Sequence, residues 1–379
     1  MFPASLRRLS LVAVAIGATG CSRVADVAYT LRADAEKLDL PAEHTERIAD
    51  YLAMFHGTPT NPRMALPDPN AESPEASTAD ATLVPIARID KPGYDRLTLQ
   101  RGHEVYASQC AGCHGATGDG KGPAGAYLNP PPRDYRNGVF KFTSTPRGSK
   151  PRRDDLRRIL KYGAKGTSMP AFRFLSEEDT EAVIDYVQVL SARGQLEIDL
   201  IREATDELDE GDDFDPETVA DYVQSISDSW DRAESELVRP VTVNPPRTPE
   251  TVRQGAVAFA ELYCVKCHGP NARGSKSADV GQDIWGRTAY PANLAMGMLH
   301  GGRRPDDIYR RIYSGINGTP MPSSKDPNTA IGETPEQRSE RIWHLVHFVT
   351  AVVENNGVPD DAQHAIDDAL RAAAGGPSP

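Results

Sequence analysis

The sequence predicts an all-α protein: two tandem copies of one small helical domain, joined by an acidic, helical linker. Three observations predict this fold: an internal repeat, an amphipathic helix that closes each copy, and a strongly acidic stretch between them. The 379 residues are 39% hydrophobic and 25% charged, which suits a water-soluble chain of two domains and additional segments. No run after residue 20 approaches the roughly 18 apolar residues of a membrane-spanning helix, so a polytopic membrane protein is excluded. The formal net charge of -12 argues against nucleic-acid binding, because such proteins present a basic face.

The repeat consists of motifs that recur in the same order and at nearly the same spacing. The first copy contains Gly102, Tyr106, Cys110-Ala111-Gly112-Cys113-His114, Asp155 and Gly166-Thr167-Ser168-Met169-Pro170, and the second contains Gly255, Phe259, Cys264-Val265-Lys266-Cys267-His268, Asp307 and Gly318-Thr319-Pro320-Met321-Pro322. The aspartate-to-methionine separation is 14 residues in both copies, and the histidine-to-methionine separations are 55 and 53. The repeat therefore predicts two domains of one kind, over residues 97–192 and 250–355.

Each copy ends in a segment with apolar residues three and four positions apart, the spacing of a helix that buries one face. These segments are Ala182–Val187 and His344–Val349. The residues between the domains, 193–249, are acidic: from Gln195 to Arg239 there are sixteen Asp or Glu against three Arg. Their apolar spacing predicts two helices. Two interpretations stay open, a solvated helical linker and a docking face for a basic partner.

The N-terminus has the features of an exported lipoprotein. A basic start and an apolar stretch too short to span a membrane predict a signal peptide over residues 1–20. Small residues precede Cys21, as in the bacterial lipobox, so we expect lipidation at Cys21. The alternative is an ordinary signal peptide with an incidental cysteine. Residues 21–96 then form a helical leader and a Pro-rich spacer, whose composition over 57–92 predicts no buried core. Residues 356–379 form a C-terminal tail.

The Cys-x-x-Cys-His motif is the attachment signature for c-type haem. Cysteines three positions apart on a helical turn point to one side and each form a thioether with a vinyl group, and the next residue, the histidine, reaches the iron. The motif predicts covalent haem at Cys110, Cys113 and His114, and a second at Cys264, Cys267 and His268. A thioredoxin-like dithiol and a zinc site made from both cysteine pairs are the rival interpretations.

The second axial ligand is predicted from the repeated Gly-Thr-x-Met-Pro segment. A thioether sulfur is a soft iron ligand, and His/Met ligation raises the reduction potential relative to His/His ligation. A lone methionine is more often core filler, but the repeat places Met169 and Met321 at equivalent positions. Other candidates in the second copy have no counterpart in the first: Met296, Met298, His300, His344 and His347.

These residues resemble tandem class I cytochrome c domains, a dihaem cytochrome c of the mono- and dihaem superfamily, here with a lipoprotein leader. The resemblance covers about half of the chain. It implies small all-α domains whose first and last helices cross, two covalent haem c groups, and His114/Met169 and His268/Met321 as iron ligands. Arg133 in the first copy and Trp285 or Arg287 in the second are candidate partners of haem propionates.

The resemblance implies an electron carrier rather than an enzyme. We expect a membrane-tethered protein on the periplasmic side that passes single electrons between redox protein partners, between a quinol-oxidising complex and a terminal oxidase of a respiratory chain. No nucleic acid and no small-molecule substrate are expected. The alternative is a haem oxidoreductase in which one methionine is labile and the iron acts on a sulfur compound or peroxide. A third interpretation is a fixed subunit of a respiratory complex.

Overall fold

The computed structural model describes residues 29, 31–32, 40–70, 86–274 and 280–374. Helices dominate this part of the chain, which confirms the predicted all-α class. The α-helices are α1 (Ala42–His56), α2 (Arg96–Gln109), α3 (Ala111–His114), α4 (Arg153–Tyr162), α5 (Glu177–Asp206), α6 (Pro216–Ser235), α7 (Pro249–Glu261), α8 (Cys264–His268), α9 (Pro305–Ser314), α10 (Pro335–Glu354) and α11 (Asp360–Ala373). Two short antiparallel pairs are formed by β1 (Gly57–Thr58) with β2 (Asn61–Pro62), and by β3 (Ala65–Pro67) with β4 (Arg88–Asp90). None of the helices in the described ranges has the length and apolar content needed to cross a bilayer.

The first and last helices of each repeated unit cross at a glycine. A methyl group on Gly102 of α2 would lie 2.1 Å from the carbonyl oxygen of Ala182 on α5. At the equivalent point, a methyl group on Gly255 of α7 would lie 2.0 Å from the carbonyl oxygen of His344 on α10. Only glycine lets two helix backbones approach this closely, so the repeated glycine sets the same crossing in both units.

An aromatic pair fills each crossing one helical turn further along. Tyr106 and Tyr186 have ring centroids 5.3 Å apart, and Phe259 and Phe348 have theirs 5.0 Å apart. All four side chains are at most 2% exposed. Because residues four apart share a helix face, the same face carries the glycine and the ring in each helix.

Polar side chains at the N-termini define where the long helices of the units begin. The side chain of Asp95 accepts a hydrogen bond from the third residue of α2, and Ser176 does the same at α5. Thr248 and Thr334 form capping boxes at α7 and α10, each followed by proline. These caps satisfy backbone N–H groups that have no partner inside the helix.

Residues outside the two units build a third packed region, the helical subdomain, from α1, the second half of α5 and α6. Helix α5 continues without a break across the predicted domain boundary at residue 192. The subdomain has one hydrophobic core, to which Met64, Ala65 and Ile86 also contribute with 9% exposure or less. The spacer was expected to bury no core, but its described parts do, because the β3–β4 pair and the residues beside it place these apolar side chains against the helices.

The two units contact each other through ion pairs. Arg158 of α4 pairs with Asp307 of α9 at 2.7 Å, and Asp307 is only 4% exposed. Lys141 pairs with Asp283 at 3.1 Å, and Arg311 of α9 donates to the backbone carbonyls of Lys141 and Thr143. Helices α4 and α9, which precede the two predicted methionine loops, therefore lie at an interface between the units.

Candidate haem sites

Each predicted attachment motif lies on a short helix directly after the first helix of its unit. Cys110 closes α2 and Cys113 lies on α3, while Cys264 and Cys267 lie on α8. All four thiols are free. Burial raises the pKa of Cys110 to about 12 and that of Cys264 to about 11. The two pairs belong to separate hydrophobic cores, whereas a shared zinc site needs all four sulfurs at one point.

A backbone carbonyl fixes the ring of each predicted proximal histidine. Nδ1 of His114 lies 3.1 Å from the oxygen of Arg133, and Nδ1 of His268 lies 3.1 Å from the oxygen of Ala292. A carbonyl can only accept, so Nδ1 carries the proton in both rings and Nε2 keeps its lone pair. Burial also lowers the pKa of both histidines, which favours the neutral form that binds metals.

The first methionine loop follows α4 and is closed by its own backbone and by a threonine. The hydroxyl of Thr167 donates to the carbonyl of Ala164 at 2.7 Å, and the N–H of Met169 donates to the same hydroxyl at 3.2 Å. Gly163, with φ of 70°, turns the chain into the loop. A methyl group there would lie 2.7 Å from the carbonyl oxygen of Met169, so only glycine fits.

The second methionine loop, after α9, repeats this construction. The hydroxyl of Thr319 donates to the carbonyl of Ile316 at 2.8 Å and accepts from the N–H of Met321 at 3.3 Å. Gly315 has φ of 71°, and a methyl group there would lie 2.6 Å from the oxygen of Met321. Both methionines are half-buried. Two loops with the same hydrogen bonds hold two methionines in equivalent local conformations.

The donor set of each unit fits a covalently attached haem. Two free thiols three positions apart, an imidazole with a free Nε2 and a fixed thioether side chain are the groups that class I ligation uses. The second unit adds Trp285, whose Nε1–H is buried and has no hydrogen-bond partner among the described residues. A buried N–H without a partner is rare in proteins, and a haem propionate would supply the acceptor.

The remaining candidate side chains of the second unit are engaged elsewhere. His347 contacts the hydroxyl of Thr251 and the side-chain oxygen of Asn244, both at 2.9 Å. Nδ1 of His300 lies 2.6 Å from the carbonyl oxygen of Lys165 in the first unit. His344, Met296 and Met298 are the other three. His344 lies at the α7/α10 crossing, Met298 packs at Gly166 of the first methionine loop, and Met296 is 70% exposed.

Several residues of the sites escape a search for ligand motifs. Arg133, expected only as a side-chain partner of a propionate, and Ala292 both act through backbone carbonyls, which no residue type signals. Gly163 and Gly315 stand six residues before the methionine in both copies, so alignment of the repeats would have found them. Cys21, the predicted lipidation site, lies outside the described residues.

Two comparisons with known proteins found matches. Residues 98–187 match the family described as cytochrome c oxidase, cbb3-type, subunit III. A chain of the reducing HAO-like protein complex of Kuenenia stuttgartiensis is 28% identical, with a TM-score of 0.47, over 67% of this chain and 96% of that one. No curated protein matches the chain. The match over residues 98–187 supports a cytochrome c domain in the first unit, a domain type associated with haem-based electron transfer.

Proposed function

We propose that the chain is a dihaem cytochrome c and that residues 250–355 form its second haem domain. One observation carries the proposal: the second unit repeats the site geometry of the first. Both units have the glycine crossing, a histidine whose Nδ1 lies 3.1 Å from a backbone carbonyl, and a methionine loop closed by a threonine hydroxyl. A fold alone does not carry a function, but a duplicated ligand set at duplicated geometry does support one.

The cysteine, histidine and methionine side chains of the two sites each have a separate role in the proposed function. Cys110, Cys113, Cys264 and Cys267 would hold the two haem groups by thioether bonds. His114 and His268 would offer Nε2 to the iron, and the two loop methionines would offer sulfur. When bound, haem c supplies one-electron exchange between ferric and ferrous iron. Iron held by two protein side chains would favour electron transfer over substrate binding.

We infer an electron carrier of a respiratory chain, placed between a quinol-oxidising complex and a terminal oxidase. The alternative function is a haem oxidoreductase acting on a sulfur compound or peroxide, which needs one methionine to leave the iron. The equal hydrogen bonding of the two methionine loops favours the carrier.

The first experiment exposes the reduced, haem-loaded protein to carbon monoxide and follows the visible spectrum. We expect no CO complex, since both irons have two protein ligands. A complex at one haem in the wild-type protein would contradict the carrier and favour the oxidoreductase.

The number of haem groups is tested separately. The haem-to-protein ratio, measured as the pyridine haemochrome, is expected to be two, and one in the Cys264→Ser/Cys267→Ser variant. The matched variant Cys110→Ser/Cys113→Ser reports the other site. A ratio of one in the wild-type protein, with no loss in the Cys264→Ser/Cys267→Ser variant, would refute the second haem domain.

We propose that a redox protein partner with a basic face docks on the helical subdomain. Exposed carboxylates cluster where α5 ends and α6 begins: Asp206, Glu207, Asp209, Glu210, Asp212, Asp213, Asp215 and Glu217. Charge pairing between exposed groups weakens as salt rises. The rate of electron transfer to the natural partner is expected to fall with ionic strength, and a rate independent of salt would contradict docking through this surface. Copurification with a membrane complex after gentle detergent extraction would favour a fixed subunit over a mobile carrier.

Membrane attachment through a lipid on Cys21 is the remaining part of the proposal. The small residues before this cysteine support it, and an acylated N-terminus would hold the body at the periplasmic side of a membrane. Mass spectrometry of the N-terminal peptide is expected to show acyl chains on Cys21. The Cys21→Ser variant should appear in the soluble fraction, and retention of that variant in membranes would contradict a lipid anchor at this residue.

A further inference from the structure

The second methionine loop is held from outside by the first unit. Arg147 lies in the segment Thr143–Gly148, between the attachment motif and α4 of the first unit. Its guanidinium donates to the carbonyl of Met321 at 2.5 Å and to that of Thr319 at 2.8 Å. A longer contact of 3.4 Å reaches the carbonyl of Ile316. One guanidinium thus contacts three backbone carbonyls of the six-residue loop 316–321, an arrangement that suits the forked donors of arginine.

A second contact fixes the segment that carries Arg147. The N–H of Gly148 donates to the side-chain oxygen of Asn317 at 2.9 Å. The side-chain amide of Asn317 lies 3.4 Å from the hydroxyl of Thr143, and Asn317 is only 6% exposed. Asn317 lies between Ile316 and Thr319 in the same loop, so the loop and the Arg147 segment are joined at two points.

Gly318 of the loop is supported from the first unit as well, through Trp285. The ring of Trp285 packs at Gly318, where a methyl group would lie 2.8 Å from it. The guanidinium of Arg133 stacks on this ring, 3.9 Å from its centroid. Because the backbone carbonyl of Arg133 also holds His114, one residue of the first unit connects its own site to the second.

The first methionine loop has a weaker counterpart. His300 of the second unit contacts the carbonyl of Lys165 at 2.6 Å, and Met298 packs at Gly166. Each unit therefore supports the methionine loop of the other, but unequally. The second loop receives several hydrogen bonds from a guanidinium, whereas the first receives one contact from an imidazole.

We infer that Arg147 is a positioning residue for the second haem site, supplied by the first unit: it holds the Met321 loop so that the thioether stays on the iron only while the two units are docked. The inference rests on the proposed function of Met321 as a ligand. The guanidinium charge also favours the less positive, reduced state of a nearby metal centre. Docking of the units and the reduction potential of the second site are thereby coupled.

The test uses the full-length, haem-loaded protein and the variants Arg147→Ala, Arg147→Lys and Met321→Ala. Two readouts are measured: CO binding to the reduced protein, and both reduction potentials by spectroelectrochemical titration. Met321→Ala identifies which potential belongs to the second site. Arg202→Ala is the matched control, because Arg202 pairs with Asp199 on α5 and its loss removes the same charge.

For Arg147→Ala we expect CO binding at one haem per molecule and a lower potential at the second site, with the first potential unmoved. For Arg147→Lys we expect CO binding too, because an ammonium keeps the charge but not the fork. Arg202→Ala should match the wild-type protein in both readouts.

Two results would overturn the inference in distinguishable ways. If Met321→Ala opens one haem to CO and Arg147→Ala changes neither readout, Arg147 is not a positioning residue and the assignment of Met321 as a ligand stands. If Met321→Ala itself changes neither CO binding nor a potential, Met321 is not a ligand, and the positioning role of Arg147 is refuted with it.

Discussion

The two methionine loops have nearly the same internal hydrogen bonds but different contacts with the residues around them. In each, a threonine hydroxyl bonds a carbonyl at 2.7 or 2.8 Å and a glycine with φ near 70° begins the turn. Around them, Arg147 donates to carbonyls of the second loop, whereas His300 makes a single contact to the first. The hydrogen bonds that define the loop are thus shared by both copies, and the contacts that support it are not. The interface is where the two sites become unequal.

The rings beside the two predicted proximal histidines also differ, here within each unit. His114 stacks on Tyr135, with ring centroids 4.7 Å apart and an interplanar angle of 19°. The ring nearest His268 is Phe259, tilted by 43° at 6.3 Å. The first unit also continues through α5 into the helical subdomain. In the proposed dihaem protein, these different surroundings would give the two sites different reduction potentials.

The largest expected effect tests whether the two helix crossings are equivalent. Gly102→Val and Gly255→Val each force a branched side chain against a helix backbone, where even a methyl group would lie 2.1 or 2.0 Å from a carbonyl oxygen. Each variant should lose about 3 kcal/mol of unfolding free energy, measured by thermal denaturation. Ala107→Val, on the exposed face of α2, is the control and should lose less than about 1 kcal/mol. A large loss in only one unit would show that the crossings are not equivalent.

Much of this comparison could be predicted from the sequence, because it depends on local pattern. The repeat and the apolar spacing predicted the helices α5 and α10, and the fold class is confirmed. Arg147 could not be predicted, since its acceptors lie about 170 residues further along the chain and its segment carries no repeated motif. A helical leader was expected before the spacer, but the burial of α1 and of Met64 could not be predicted, because it depends on a core shared with α6.

An effect of intermediate size distinguishes the helical subdomain from the two repeated units by the pH dependence of stability. His56 is buried in the subdomain, and burial, with the nearby Arg193 charge, lowers its pKa to about 3. The imidazole of His56 binds a proton near pH 6.5 in the unfolded chain but only near pH 3 in the folded chain. The free energy of unfolding therefore falls as the pH drops from 6.5 towards 3. The slope is about 1.4 kcal/mol per pH unit.

The pH dependence is measured by chemical denaturation between pH 7 and pH 4. His56→Leu should remove this part of the slope, since the titrating group is gone. His364→Leu, at an exposed position on α11, should leave the slope unchanged. Equal slopes in the wild-type protein and His56→Leu would show that acid sensitivity arises elsewhere, for instance in the two repeated units.

The smallest expected effect sharpens the comparison of the two loops. Thr167→Val and Thr319→Val each remove a hydroxyl that donates to one loop carbonyl and accepts from the methionine N–H. Losing such hydrogen bonds costs about 1 kcal/mol. Because Arg147 still holds the second loop, CO should bind more weakly to Thr319→Val than to Thr167→Val.

The same pair of variants in the Arg147→Ala background completes the cycle. There the second loop loses its external support, so Thr319→Val should bind CO at least as strongly as Thr167→Val does in the wild-type background. The two changes in the second loop should therefore be non-additive, as expected for groups that hold one element. Thr167→Val, in the other unit, should give the same CO affinity with or without Arg147. Additive effects of Thr319→Val and Arg147→Ala would mean that the hydroxyl and the guanidinium act on the loop independently, and the difference between the loops would then lie in their own sequences.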